Sequence, residues 1–247
     1  MEFRIPKDID LTQQASWCPG CGHGIICHVI AEAAKELGVS DRIVTVDDVA
    51  CGQFAQYALK YNSIMGAHGR VVVTAAGVKR ARPDALVIAR PGDGSAYSIG
   101  IESTLYCGLR NENILNIVVN NSVFGMTGGQ MSPTSLVGMK TATSPKGRDP
   151  KKNGTPVDIS KLMTGTDMAY LARCAVNSPA NIEKTKQCIK KALQKQMNGE
   201  GYCLVEILSM CPTNWGLSPE AACDYIKDTQ SVAFPLGEFI DREGGIK

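Results

Sequence analysis

The chain has no run of about 18 apolar residues, and so no candidate membrane-spanning helix. It has almost no excess of one charge. Its 26 Lys and Arg stand against 24 Asp and Glu, a formal +2, which makes no electrostatic case for nucleic acid. The opening Met1-Glu2-Phe3-Arg4-Ile5-Pro6-Lys7-Asp8 lacks the apolar stretch of a secretory signal. There is no internal repeat and no low-complexity tract. Histidine is scarce, at three. These absences set aside a membrane protein, a nucleic-acid binder and a secreted scaffold, and leave a cytoplasmic globular protein as the expectation. At 247 residues the chain can bury one sizeable core, and one α/β domain is the default.

Cysteine is abundant. Ten in an unsecreted chain point to a reducing compartment, and to metal or cluster ligation rather than disulfides. Cys18-Pro19-Gly20-Cys21-Gly22-His23 sets two thiols on one turn, a spacing that lets both converge on one centre. Cys51 follows a strand-like run, Arg42 to Val46, and Cys211 follows another, Tyr202 to Leu208. A structural zinc site and a thioredoxin-like redox pair are the bland alternatives. Zinc sites usually show a second close pair, which is missing. The redox pair usually follows a strand, whereas this one follows a polar tail. Cys27, Cys107, Cys174, Cys188, Cys203 and Cys223 lie in apolar or helical patterns and read mostly as small buried hydrophobes.

A second pattern concerns oxygen ligands. Ala85-Leu86-Val87-Ile88-Ala89 reads as a buried parallel strand. It stops at Pro91-Gly92-Asp93-Gly94-Ser95, a turn too glycine-rich to continue a sheet. A helix over about 98–109 and a strand from Ile114 to Val119 follow, and that strand delivers Asn120-Asn121. A carboxylate and a carboxamide thus meet at one edge of a parallel sheet, where open α/β sheets bind ligands. Such oxygens suit a hard cation such as Mg²⁺, which in turn holds a diphosphate. An ordinary turn and an ordinary loop are the alternative.

The remaining pattern is plainer. Residues 24–37 read as a helix stopped by Gly38. The apolar segment 71–76 fits a strand or a helix. Residues 121–162 are rich in Gly, Ser, Thr, Pro and Lys and read as a functional loop. Residues 180–198 form a basic amphipathic helix of the outer layer. The tail from Leu217 to Lys247 has weak periodicity.

Gly92-Asp93-Gly94 with Asn120-Asn121 resembles the signature of the thiamine-diphosphate enzymes. The matching segments go further: Trp17 to His23, His68-Gly69-Arg70, Ala76-Gly77-Val78-Lys79, Asn120 to Gln130 and Ser132-Pro133-Thr134. Over nearly the whole chain these resemble the β subunit of the 2-oxoacid:ferredoxin oxidoreductases. Cys211-Pro212-Thr213-Asn214-Trp215 is similar to members acting on branched-chain 2-oxoacids or 2-oxoglutarate. The resemblance implies an α/β fold, a parallel-sheet thiamine-diphosphate-binding domain with helices on both faces. It implies Mg²⁺ ligands at Asp93, Asn121 and the Val123 carbonyl. Further cofactor contacts are implied at Ala50, Cys51, Gly52, His68, Gly92, Gly94, Ser95, Gly125 and Met126. A 4Fe–4S cluster is implied at Cys18, Cys21, Cys51 and Cys211, although Ala50 and Gly52-Gln53 depart from the usual context of the third cysteine.

By the same resemblance His68 approaches the cofactor, as a proton relay or a diphosphate contact, and is the catalytic candidate. His23 packs or hydrogen-bonds near a thiolate, and His28 is structural. Arg70 meets either the diphosphate or an internal carboxylate. Lys140, Lys146, Arg148, Lys151 and Lys152 either face the anionic tail of coenzyme A or form a solvated loop surface. The implied activity is oxidative decarboxylation of a 2-oxoacid to acyl-CoA and CO₂, with electrons passed through the cluster to ferredoxin. The implied partners are an α subunit supplying the catalytic glutamate, γ and ferredoxin-like δ subunits, and ferredoxin. The single domain would then carry an N-terminal cluster-binding segment and a C-terminal tail that wraps a partner. Two other readings are a cluster-free thiamine-diphosphate decarboxylase or synthase, and a non-catalytic zinc-binding assembly subunit.

Overall fold

Strands that read as unbroken apolar runs belong in a sheet covered on both faces. The computed structural model, which describes residues 5–13 and 15–242, is built that way. The strands are β1 (Ile43–Asp48), β2 (Asn62–Gly66), β3 (Leu86–Arg90), β4 (Leu115–Asn120), β5 (Val123–Phe124), β6 (Gln130–Met131), β7 (Tyr170–Ala175), β8 (Cys203–Leu208) and β9 (Gly237–Asp241). Seven form one sheet in the order β2-β1-β3-β4-β8-β7-β9, all parallel except β9, which runs antiparallel to β7. β5 and β6 make a separate hairpin.

The helices are α1 (His23–Leu37), α2 (Val71–Ala81), α3 (Ile101–Leu109), α4 (Pro150–Asn153), α5 (Ile159–Met163), α6 (Pro179–Met197), α7 (Pro212–Trp215), α8 (Pro219–Tyr225) and α9 (Ser231–Ala233). Alternation along each strand feeds two cores. Leu86 and Ile88 pack with Ile26, Val29 and Ile30 of α1 and with Ile189 and Leu193 of α6. Val87 and Ala89 pack with Val71, Val72 and Ala75 of α2 and with Cys107 of α3.

Local signals explain the element ends. Gly38 adopts φ 67° and closes α1 through its N–H to the carbonyls of Ala34 and Lys35. Ser178 caps α6 through its side chain, with Pro179 in the first turn. The ambiguous segment 71–76 begins α2, since Val71, Val72, Ala75 and Ala76 are buried while Val73 is exposed, a helical spacing.

Part of the C-terminal segment packs on its own chain as far as Arg242. Ala222, Ile226, Gln230 and Phe234 are buried, and β9 extends the sheet. Residues 243–247 lie outside the described residues, as do 1–4, part of the N-terminal stretch searched for a signal, and 14. Among the described residues no helix is long and apolar enough to cross a membrane.

Candidate functional site

In a parallel sheet every strand ends at the same edge, so residues far apart in sequence meet there. β1 ends at Asp48 and runs into Val49-Ala50-Cys51. β3 runs into Pro91-Gly92-Asp93-Gly94. β4 ends at Asn120, with Asn121 next, and β8 leads to Ser209-Met210-Cys211. A cavity of about 270 Å³ opens at this edge. Asp93, Asn121 and Val123, expected around a cation, all line it. So do Ala50, Cys51, Gly52, His68, Gly92, Gly94, Ser95, Gly125 and Met126.

Asp93 is 1% exposed. Thr134 Oγ1 lies 2.5 Å from its Oδ2 and also 3.0 Å from Asn120 Oδ1. Burial pushes the carboxyl up to about 6, against the pull of Ser132, Thr134 and the Asn121 backbone, and no cation among the described residues is a main influence on it. A buried carboxyl without a cationic partner is a costly structural ion and a good ligand for a hard cation. The donor set fits Mg²⁺.

Asn120 is structural: its Nδ2 donates to Glu206 Oε1 at 2.9 Å, tying β4 to β8. Asn121 accepts the Val123 N–H at Oδ1, 3.2 Å away. Between them Ser122 takes φ 59°, a left-handed conformation unusual for serine, and is fully buried. Its carbonyl accepts from Ser135 Oγ at 2.5 Å and its hydroxyl from Gln230 Nε2 at 3.0 Å. That turn brings Asn121 and Val123 onto the same wall.

Glycine at 94 has a steric cause, since a Cβ there would sit 2.3 Å from Phe124 Cε1. The chain then enters a π-helical turn, Ser95–Ile99, before α3. Backbone N–H groups at such a helical start suit phosphate oxygens.

His68 sits across the cavity. Its Nδ1 lies 3.2 Å from Asp48 Oδ1, and its ring tilts against Phe124 at 6.1 Å. Asp48 is fully buried and also accepts the Gly92 N–H at 3.3 Å. Burial raises its carboxyl, with His68 pulling the other way. Asp48 lines the cavity and was not expected there; its place as the last residue of β1 was the available signal. Phe124, Val119 and Thr127 are lining residues of the same kind.

Arg70 takes the internal option: its Nη1 lies 2.9 Å from Glu102 Oε1 and also donates to the carbonyls of Gly69 and Ile99. His28 lies 3.5 Å from Glu32 on α1. Arg148 does not face the solvent that a coenzyme would approach through. It is 6% exposed and donates to the carbonyls of Ser132, Pro133, Ser135, Asn153, Gly154 and Thr155. A guanidinium carries five N–H donors and so suits a centre of converging carbonyls. Lys140, Lys146, Lys151 and Lys152 are exposed.

The four expected cysteines come together from three places. The Cys18–Cys21 turn closes with Cys21 N–H to Cys18 O at 3.0 Å, and Gly22 N–H reaches Met210 O at 3.2 Å, beside Cys211. Trp17 Nε1 holds the Cys51 carbonyl at 2.8 Å, and Asn214 Nδ2 lies 3.3 Å from Cys211 Sγ. Burial, aided by Cys211, Cys51 and Cys18, pushes the Cys21 thiol up to about 12. Cys51 is pushed to about 11 in the same way. Among the described residues no three such groups stand close enough for a single metal ion; a four-iron cluster spreads its ligands wider. Of the other six cysteines, Cys27, Cys107, Cys174 and Cys203 are buried and Cys188 and Cys223 half-buried.

His23 stacks on Trp17 at 5.9 Å, and burial drives its ring down to about 3, so it is neutral. A Cβ built on Gly125 would lie 3.5 Å from Cys51 Sγ and 3.7 Å from Asn121 Nδ2, so the thiols adjoin the cavity.

Comparison with known proteins agrees with this geometry. Residues 48–207 match the family described as thiamine pyrophosphate enzyme, C-terminal TPP binding domain. The chain is 41% identical over 227 residues to ketoisovalerate oxidoreductase subunit VorA of Methanothermobacter thermautotrophicus, covering 92% of this chain and 48% of that one. It is 35% identical over 213 residues to 2-oxoglutarate synthase subunit KorB of Archaeoglobus fulgidus, covering 86% and 75%. It thus spans about half the length of the first curated relatives it matches. Among solved structures it resembles 2-oxoglutarate:ferredoxin oxidoreductase from Magnetococcus marinus with 2-oxoglutarate, coenzyme A and succinyl-CoA bound. That likeness has a TM-score of 0.81 at 26% identity, over 99% of this chain and 87% of that one.

Proposed function

The chain belongs to the thiamine-diphosphate-binding subunits of the 2-oxoacid:ferredoxin oxidoreductases, and on that premise we propose that it is the cofactor-holding β subunit of such an enzyme. The reaction is oxidative decarboxylation of a 2-oxoacid to acyl-CoA and CO₂, with ferredoxin as electron acceptor. One observation carries the reading: Asp93, Asn121 and Cys51 line one cavity at the carboxyl edge of the sheet.

Thiamine diphosphate bound there supplies an electron sink for loss of CO₂ from a 2-oxoacid. This chain's residues do the holding. Asp93, Asn121 and the Val123 carbonyl take Mg²⁺, and the turn 92–95 and His68 take the diphosphate. Asp48 orients His68 through Nδ1, leaving Nε2 for the ligand. Phe124 and Met126 exclude water. Cys18, Cys21, Cys51 and Cys211 take a 4Fe–4S cluster; their convergence beside the cavity supports this, and a route for electrons out of the site would start there. No glutamate is among the lining residues, so an α subunit supplies the base. Further subunits and ferredoxin complete the assembly.

The test is metal and cofactor analysis of the anaerobically purified complex, with 2-oxoacid-dependent dye reduction. We expect bound thiamine diphosphate, CoA-dependent turnover, and lower iron in Cys211→Ala. Unchanged iron in all four cysteine variants would assign the iron to other subunits. Absence of thiamine diphosphate would end the functional reading. Zinc in place of iron would favour an assembly role.

A further inference from the structure

Far from the sheet edge, α6 lies close on β7. Thr185 Oγ1 of α6 donates to the Ala175 carbonyl of β7 at 2.8 Å. About one helical turn further along α6 stands Cys188, and next to Ala175 on β7 stands Cys174. Both cysteines are free, and both line one cavity of about 340 Å³. Exposed Glu183, Lys184, Gln187 and Glu238 stand around it. Cys174 is 5% exposed and Cys188 half-buried, so Cys188 is the thiol that solvent reaches. This cavity shares no lining residue with the one at the sheet edge.

The surroundings of Cys188 favour its thiolate. The Cys174 S–H and the Tyr170 O–H act on it as donors and hold its thiol below the usual range, against burial and the Glu238 carboxylate. Cys174 is pushed the other way, first by that bond to Cys188 and then by burial. Tyr170 Oη is buried with no oxygen or nitrogen partner, so no other acceptor claims its proton. Lys191 Nζ stands 5.2 Å from the Tyr170 ring centroid and adds a cation that favours the thiolate. Cys223 is also half-buried, but burial raises its thiol.

We propose that Cys188 is a reactive thiol which a hydroperoxide oxidises, and that Cys174 resolves the product as a disulfide joining α6 to β7. The Cys188 thiolate attacks the peroxide O–O bond, which breaks. Cys188 becomes a sulfenic acid, and the departing alkoxide or hydroxide takes up a proton. The Cys174 sulfur then attacks the Cys188 sulfur; the S–O bond breaks and water leaves with the Cys174 proton. Two thiols lose two electrons and the peroxide gains them. A thiol reductant reverses the change by exchange.

The experiment treats the anaerobically purified complex with stoichiometric hydrogen peroxide, blocks free thiols and maps the peptides by mass spectrometry. A Cys174–Cys188 disulfide that dithiothreitol removes is expected. Before oxidation, iodoacetamide at pH 7 should label Cys188 about tenfold faster than Cys223, since only the thiolate reacts. Tyr170→Phe, which removes only the hydroxyl, should slow that labelling. Cys174→Ser should stop Cys188 at the sulfenic acid, trapped by dimedone, and Cys188→Ser should leave Cys174 reduced. A wild-type pair still reduced while Cys223 is oxidised, or after excess peroxide, overturns the proposal. So does a Cys188 that labels no faster than Cys223. Oxidation of Cys174 in Cys188→Ser contradicts the assigned roles. The wild-type peptide map and labelling rates decide the matter even where a variant does not fold.

Discussion

At the scale of the residue, the site turns on carboxyls kept from water. In the cation-free protein Asp93 is held up at about 6 because burial disfavours its charged form. A cation binds only that charged form. Affinity for Mg²⁺ with thiamine diphosphate should therefore be level above about pH 7 and fall about tenfold per unit of acidification below pH 6. Titration calorimetry between pH 5 and 8 checks this, and a flat profile down to pH 5 would move the cation off Asp93. Asp93 was legible because glycines flank it and two asparagines follow one strand–helix–strand unit later. Asp48 was not. A carboxyl at the end of β1 has no motif, and its role depends on His68, which arrives from a turn 20 residues on.

At the scale of the element, apolar runs and caps gave clear signals. β3 and β4 are fully buried strands and α1 ends at Gly38 as its pattern implies. The loop over 121–162 was legible only as a loop. Its order comes from Arg148, which gathers six carbonyls from two stretches of chain. Backbone acceptors leave no side-chain pattern to read. Arg148→Ala should lower stability by about 2–4 kcal/mol, since buried carbonyls lose a charged donor. Arg148→Lys should recover little of it, because an ammonium cannot reach both stretches. Thermal unfolding measures the loss, and limited proteolysis should cut first between 132 and 155. Wild-type melting of Arg148→Ala would show that the loop is held otherwise. β9 was likewise hidden: only Ile240 of its five residues is buried, so no alternation announces it.

At the scale of the whole molecule, the chain builds one rim of a cofactor site and leaves the other open. Exposed Val49 and Met126 line that rim. Alone, with thiamine diphosphate and Mg²⁺ supplied, the chain should show no enzymatic decarboxylation, because the proton-transfer group is missing. Such help is typically worth about 10²–10⁴-fold. Adding the partner subunit should restore turnover, and a glutamate-to-glutamine change in the partner should remove most of it. Full turnover by the isolated chain would return attention to Asp48, since Asp47 is bound to Arg90 at 3.1 Å and Glu102 to Arg70. The fold class was legible at this scale because β3, β4 and β8 are apolar runs buried along their whole length, as strands of a parallel sheet covered on both faces are. The surface that would complete the site was not, because none of the residues lining the cavity is a glutamate that could announce it.

The most direct measurement is the thiamine diphosphate bound per chain in the complex, for the wild type and Asp93→Ala, with Mg²⁺ and after chelation. One cofactor per chain is expected in the wild type, lost on chelation. Asp93→Ala should retain almost none, while Asn121→Ala, losing a neutral ligand, should retain more. A full complement of cofactor in Asp93→Ala would contradict the account at its centre.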